Sequence, residues 1–297
     1  MAPLPHITVL MGTRNGSAFL RQQLASLAAQ DHPDWSLWIS DDGSTDSTWA
    51  QIHAFAENQP NPVVLLHGPT RGMAANYLGL LCHSDLPPGP VAFADQDDLW
   101  LPTHLRRGLR ALAHDPAPAA GRVYCAHRML LRPAQPPRPM PWRGGNRAGF
   151  RNALVECLTP GSGLMLDAAA TALARQAGPV DVPFWDWWLY LLLTGSGVQV
   201  LQDARPGLLY RAHAGNHLGP RAGLRAALWR VNRLRDGSYR GWMCRNITAL
   251  ETNMAHLTPR NRTILRQVLS LDPRQRLRHL STHRHWLRDR LALWLAA

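Results

Sequence analysis

Ala94-Asp95-Gln96-Asp97-Asp98-Leu99-Trp100 decides how this chain is read. The residues before it, Pro90-Val91-Ala92-Phe93-Ala94, form an apolar run of strand length that ends abruptly in three carboxylates within four residues. Buried carboxylates are costly unless a cation neutralises them. Alternate residues of a strand point to one side, so Asp95 and Asp97 can face a common ligand. Oxygen donors of this kind suit magnesium or manganese, which keep coordination positions open for substrate phosphates. Standing alone, the motif would also admit the less favoured reading of an acidic surface loop.

Two other segments repeat the arrangement. Trp38-Ile39-Ser40-Asp41-Asp42-Gly43-Ser44-Thr45-Asp46 is a strand ending in carboxylates, with Asp46 placed to cap the helix that follows. Ile7-Thr8-Val9-Leu10-Met11-Gly12-Thr13-Arg14-Asn15-Gly16 is a strand running into a glycine-containing loop and a helix. Strands near residues 7–11, 36–40, 63–67 and 91–94 alternate with helices near 17–29, 47–58, 73–83 and 103–114, which implies a parallel sheet covered on both faces. Open α/β sheets bind ligands at the carboxyl ends of their strands, where these polar groups cluster. Prolines at 115–118 break the pattern. A strand at 122–131 then leads into Arg132-Pro133-Ala134-Gln135-Pro136-Pro137-Arg138-Pro139-Met140-Pro141, which fits no regular helix or central strand and reads as a loop or extended arm over the site. Residues 161–166 return to the sheet.

In that order and spacing, Thr13-Arg14-Asn15-Gly16, the Asp41–Asp46 motif and Asp95-Gln96-Asp97-Asp98-Leu99-Trp100 resemble the family 2 nucleotide-sugar glycosyltransferases of GT-A fold. The last motif resembles their rhamnosyltransferase-like bacterial branch. The resemblance runs over residues 7–109 and resumes over 161–219. It implies an α/β, Rossmann-like, mixed but mainly parallel sheet flanked by helices in residues 1–219. It further implies inverting transfer of rhamnose or another hexose from a nucleotide-diphosphate donor to a glycan or lipid-linked acceptor, in bacterial surface polysaccharide or lipopolysaccharide synthesis. Magnesium or manganese is the implied cofactor. Asp41 or Asp42 would contact the nucleobase, with Thr13, Asn15 and Asn76 in the same pocket. Asp95 would face the ribose and Asp97 the metal. Arg14 stands where the family often has an aromatic residue.

Leu209-Tyr210-Arg211-Ala212-His213-Ala214-Gly215-Asn216 resembles the Tyr-Arg-x-His-x-x-Asn segment of the same branch. Arg211 would neutralise phosphate by a bidentate contact. His213 would either ligate the metal or donate to the diphosphate. Pro183-Phe184-Trp185-Asp186-Trp187-Trp188-Leu189, taken alone, reads as a helix start whose aspartate satisfies free amides and whose tryptophans are core. It also suits a partly desolvated general base flanked by sugar-stacking faces at Trp187 and Trp188. The family places its base at this kind of Asp-Trp-Trp helix, so the resemblance assigns that role to Asp186.

The 297 residues, 45% apolar, are enough for one enlarged domain or two. Cys82, Cys125, Cys157 and Cys244 form no C-x-x-C pair, which argues against zinc ribbons and disulfide frameworks and favours a reducing cytosol. The first residues lack a signal-peptide pattern, and the longest apolar run, 184–193, contains Asp186 and is too short to span a bilayer. A soluble or peripheral protein is expected.

The net charge is +12, carried by arginine alone, since the chain has no lysine. A GC-rich genome explains the choice of arginine but not the excess, which points to phosphate groups or an anionic surface as partners. Residues 220–297 form a basic helical region. Leu224, Leu228, Val231 and Leu234 follow helical spacing, and Leu277, Leu280, Leu287, Leu291 and Leu295 repeat it among arginines. This region could pack on the catalytic domain, form a dimer, or rest on the inner face of the cytoplasmic membrane. His279, His283 and His285 read as solvated surface. Two other functions are weighed. A sugar nucleotidyltransferase expects a longer glycine-rich loop than Gly12–Gly16 offers. A nucleic-acid-binding protein is disfavoured, with no recognisable motif and acidic strand tips that repel phosphate.

Overall fold

The computed structural model describes residues 4–114, 116, 118–141, 148–213, 232 and 236–284. The first half is the expected β-α alternation: β1 (Ile7–Thr13), α1 (Leu20–Ala28), β2 (Trp35–Asp41), α2 (Thr48–Asn58), β3 (Val63–His67), α3 (Met73–Leu81) and β4 (Val91–Asp95). β1 and β2 are buried almost throughout, as parallel strands covered on both faces must be. Side chains alternate between two cores. Val9, Met11, Leu37 and Ile39 meet Leu20, Leu24 and Ile52, whereas Leu10, Trp38 and Phe93 meet Leu78, Leu81 and Trp188.

The second half makes the sheet mixed. It comprises β5 (Leu99–Trp100), α4 (His104–Leu112), β6 (Arg122–Arg132), β7 (Gln135–Pro139), α5 (Phe150–Ala153), β8 (Leu164–Leu166), α6 (Ala168–Ala177), α7 (Trp185–Gly195) and β9 (Gln199–Arg211). The strand order is β3-β2-β1-β4-β8-β6-β9-β5, with β8 antiparallel to both β4 and β6. The proline-rich arm is in fact a strand: β7 pairs antiparallel with β6 alone. Its prolines are tolerated because an edge strand need not donate along its outer side.

After Gly237 the chain forms α8 (Ser238–Thr252), α9 (Pro259–Ser270) and α10 (Pro273–Ser281). Thr258 caps α9 by accepting from the Asn261 N–H, with Pro259 at its first position. Tyr239, Met243, Leu250, Leu265 and Leu280 join the same core as α7, so these helices pack on the sheet-bearing part of the chain. The helix expected over 224–234, the boundary near 220, and Leu287, Leu291 and Leu295 lie outside the described residues. Among the described residues no helix is long and apolar enough to cross a membrane.

Candidate functional site

Strand register brings the polar tips level. Thr13 lies beside Asp41, and Gly12 beside Asp95, so β1, β2 and β4 deliver their ends to one edge. There a cavity of about 1350 Å³ opens, with Thr13, Asp42, Asn76, Asp95, Asp97, Asp186, Trp187 and His213 among its walls.

The two aspartates of β2's end divide their work. Asp41 is 2% exposed. It accepts from Thr13 Oγ1 at 2.7 Å, from the Ser44 N–H at 2.7 Å and from Ser44 Oγ at 2.5 Å, binding β1 to the following loop. Asp42 accepts from the Gly72 N–H at 2.8 Å through Oδ2, while its buried Oδ1 has no hydrogen-bond partner and the residue lines the cavity. Asn15 braces the wall from behind: with φ +47° it donates its N–H to Ser44 Oγ and accepts from the Thr45 N–H, both at 2.8 Å. Asn76 reaches the cavity wall, but its carboxamide is engaged at both ends with Ser40, fixing α3 to β2.

Asp95, Asp97 and Asp98 bring oxygens within 4.8 Å of one another. Burial and the neighbouring Asp97 carboxylate raise Asp95 from 3.8 to about 7, with Asp186 adding to the repulsion. Burial, then Asp95 and Asp97, holds Asp98 well above the usual carboxylate range. The Asp98 Oδ2 atom is buried without a partner. Three crowded carboxylates, two of them raised above the usual range and one with an orphaned oxygen, fit a hard divalent cation. Tyr77 sets the geometry of this cluster. Its hydroxyl lies 2.8 Å from the Ala94 carbonyl oxygen and 3.1 Å from Asp95 Oδ1, and burial keeps it protonated.

His213 joins the cluster through Asp97, with Nε2 2.6 Å from Oδ2. Arg211 takes another direction. Its Nε donates to the Asp97 carbonyl at 3.0 Å, its NH2 to Gln22 at 2.5 Å, and its guanidinium lies 4.8 Å over Phe19. It lines a separate, smaller cavity and not the wall that holds Asp95 and Asp186.

Asp186 stands in the first turn of α7. Its Oδ2 accepts from the Gly161 N–H at 3.0 Å and its Oδ1 from the Trp187 N–H at 2.8 Å, which fixes the carboxylate at the cavity wall. Gly161 is required there, because a Cβ would lie 2.3 Å from Trp185 Cζ2. Trp185 in turn stacks on Tyr77 at 4.4 Å, linking the carboxylate cluster to α7. The expected acceptor role of Trp188 needs correction: it is 0% exposed, packed in the core with no face open to a sugar. Trp187 touches the cavity but is 5% exposed, with its indole N–H donated to the Ala153 carbonyl.

The family model for glycosyl transferase family 2 matches residues 8–162, just over half of the chain. The chain belongs to glycosyl transferase family 2. It is 24% identical over 239 residues to the dTDP-rhamnosyl transferase RfbG of Shigella flexneri, covering 77% of this chain and 81% of that protein. The mannosyltransferase PcManGT from Pyrobaculum calidifontis, solved with GDP-Man and Mn2+, superposes with a TM-score of 0.58 at 17% identity, over 98% of this chain and 85% of that one. S. aureus TarS 1-349, solved with UDP-GlcNAc, superposes with a TM-score of 0.56 at 15% identity, over 98% and 90%. The shared fold is GT-A.

In this family 2 glycosyltransferase, the structure adds residues that the sequence motifs did not mark. Arg128, in the middle of β6, lines the cavity, lies 5.4 Å over Tyr210 and acts electrostatically on Asp95 and Asp98. A basic residue beside His127 inside the mostly apolar stretch Tyr124–Leu131 was the available signal. Tyr77 carried none, because its role depends on α3 lying over β4. Gln96 closes the loop after β1, accepting from the Arg14 N–H at 2.9 Å and donating to the Arg14 carbonyl at 3.1 Å.

Proposed function

We propose that this glycosyltransferase moves a hexose, with rhamnose the leading candidate, from a nucleotide-diphosphate donor to a glycan or lipid-linked acceptor with inversion. The observation that carries this reading is one continuous cavity bearing an unpartnered aspartate oxygen at Asp42, a carboxylate cluster at Asp95–Asp98 and a fixed carboxylate at Asp186. Asp42 Oδ1 accepts from the base N–H. Asp97, with Asp95 beside it and Asp98 behind, would hold magnesium or manganese, which when bound would supply positive charge against the leaving diphosphate, so that Asp95 serves the metal and not only the ribose expected from the sequence. Arg128 supports that charge from β6, and His213 orients Asp97. Asp186 takes the proton of the acceptor hydroxyl as its oxygen bonds to the anomeric carbon. The bond from that carbon to the diphosphate oxygen breaks, and the electron pair leaves with the nucleoside diphosphate. Attack by one activated hydroxyl opposite the leaving group inverts the centre. The similarity to a dTDP-rhamnosyl transferase favours rhamnose as the sugar, and a surface polysaccharide as the product remains part of the proposal.

The test is nucleoside-diphosphate release from dTDP-rhamnose and a panel of UDP-hexoses, with Mn2+ or with EDTA. One donor turning over only with the cation is the expected result. Release from none, or equal release in EDTA, refutes the donor or the metal assignment respectively. Peripheral contact with an anionic membrane through the basic C-terminal region belongs to the same proposal and is tested by vesicle binding.

A further inference from the structure

The loop Asp95–Asp98 is tied down from two directions, and both ties lead to the start of α1. On one side Gln96 accepts from the Arg14 N–H and donates to the Arg14 carbonyl, which joins it to the loop that enters α1. From the other side comes the end of β9. The Arg211 N–H donates to Asp98 Oδ1 at 3.1 Å, its Nε donates to the Asp97 carbonyl at 3.0 Å, and His213 Nε2 lies 2.6 Å from Asp97 Oδ2. Arg211 and His213 also meet on one ring. Phe19, immediately before α1, has the Arg211 guanidinium 4.8 Å from its centroid and the His213 imidazole at 4.8 Å, tilted by 39°. Three residues on, Gln22 accepts from Arg211 NH2 at 2.5 Å. His213 stands on the wall of both cavities, Phe19 lines the smaller one alone, and Gln22 lines neither. Phe19 and Gln22 can therefore affect the carboxylates only through Arg211 and His213.

We propose that Phe19 is a positioning residue of the cation site: its ring holds the Arg211 guanidinium and the His213 imidazole against Asp97, so that the start of α1 sets how tightly the site binds its metal. This rests on the reading of Asp95–Asp98 as a divalent-cation site. Ligands that must first be ordered bind a cation more weakly, because fixing each side chain then draws on the binding free energy. Asp97 is fixed at its carboxylate by the imidazole and at its carbonyl by the guanidinium, and both of those groups would be freer to turn without the ring. An aromatic face suits each of them, by ring contact for the imidazole and by attraction of the cation to the ring for the guanidinium. An aliphatic side chain would fill the same space and offer neither. The guanidinium of Arg211 thus has a task where it is found, as a brace on the backbone of Asp97.

The test follows Mn2+ binding to the full-length protein by electron paramagnetic resonance, alone and with UDP or dTDP, beside the thermal midpoint of the metal-free protein. Phe19→Leu keeps the apolar bulk and removes the ring, Phe19→Tyr keeps the ring, and Gln22→Ala is an exposed change. Phe19→Leu should weaken Mn2+ about tenfold, the low end of what the partners of metal ligands contribute. Phe19→Tyr should keep most of the wild-type affinity, and Gln22→Ala should show a smaller loss with the thermal midpoint unchanged. Wild-type affinity in Phe19→Leu, whatever its thermal midpoint, or equal losses in Phe19→Leu and Phe19→Tyr would overturn the role of the ring and leave the cation site standing. If both Phe19 variants fail to fold, Gln22→Ala decides, and unchanged affinity there overturns the brace. Failure of the wild type to bind Mn2+ under either condition would instead overturn the cation reading itself, and the proposal with it.

Discussion

Asp95, Asp97 and Asp98 bring oxygens within 4.8 Å of one another, and burial together with the Asp97 carboxylate raises Asp95 from 3.8 to about 7. A carboxyl with a folded pKa above its unfolded one makes the metal-free fold hold more protons than the unfolded chain between those values. Metal-free stability should therefore fall as pH rises through about 4 to 7. A cation binds the ionised form, so apparent Mn2+ affinity should climb over the same window and level off above about pH 7. Calorimetric titrations at pH 5.5, 6.5 and 7.5 check this; a flat affinity would remove Asp95 from the cation site. Asp97→Ala should abolish cation-dependent donor turnover, and activity retained in EDTA would contradict the assignment. Asp186→Asn keeps the side chain's size and one of the two backbone contacts, since its amide nitrogen cannot accept, while removing the basic oxygen. Transfer should drop at least about 10²-fold with nucleoside-diphosphate affinity intact. Lost donor affinity would move Asp186 into the nucleotide pocket, and normal turnover would place the base elsewhere.

At the scale of elements, α7 shows why one motif can be read two ways. Its Trp185-Asp186-Trp187-Trp188 run puts Asp186 at the cavity wall and Trp188 in the core, because neighbouring helical residues point in different directions. Trp188→Ala should cost about 3–5 kcal/mol as an unfilled core site. A normal thermal midpoint with a raised acceptor KM would return Trp188 to the acceptor role. The β-α alternation of residues 7–112 was legible because strand and helix periods differ and each strand ends in marked polar residues. The mixed half was less so. β5 is only two residues long, and β9 pairs with β6 and β5 far away in sequence. The proline arm was recognisable as irregular, but only the partner strand β6 reveals it as an edge strand. Likewise Arg211 belonged to a matching motif, yet Phe19 and Gln22, distant in sequence, turn its guanidinium away from the large cavity.

On the scale of the whole molecule, the +12 charge has two parts. Some arginines are structural staples. Arg122 donates to the carbonyls of Leu112, His114 and Pro116, and Arg276 to those of Val268, Leu269 and Leu271, closing the ends of α4 and α9. Guanidinium suits that task, having several fixed donors and favouring the negative end of a helix. Others, including Arg240, Arg260, Arg266 and Arg278, are exposed on α8, α9 and α10, while Leu250, Leu265 and Leu280 of the same helices are buried in the core. Helices that turn leucines inward and arginines outward can meet an anionic surface by charge without inserting apolar side chains. Each basic residue near such a surface contributes about 1 kcal/mol, so a handful suffices for reversible binding. Co-sedimentation with vesicles containing anionic lipid should therefore be strong at low salt and lost as the Debye length shrinks from about 10 Å at 0.1 M towards 3 Å at 1 M. Arg260→Gln with Arg266→Gln should weaken it without changing donor turnover, since neither lines the cavity. Binding that survives high salt would point to insertion of apolar side chains, and no binding at any salt would leave these arginines as solvated surface.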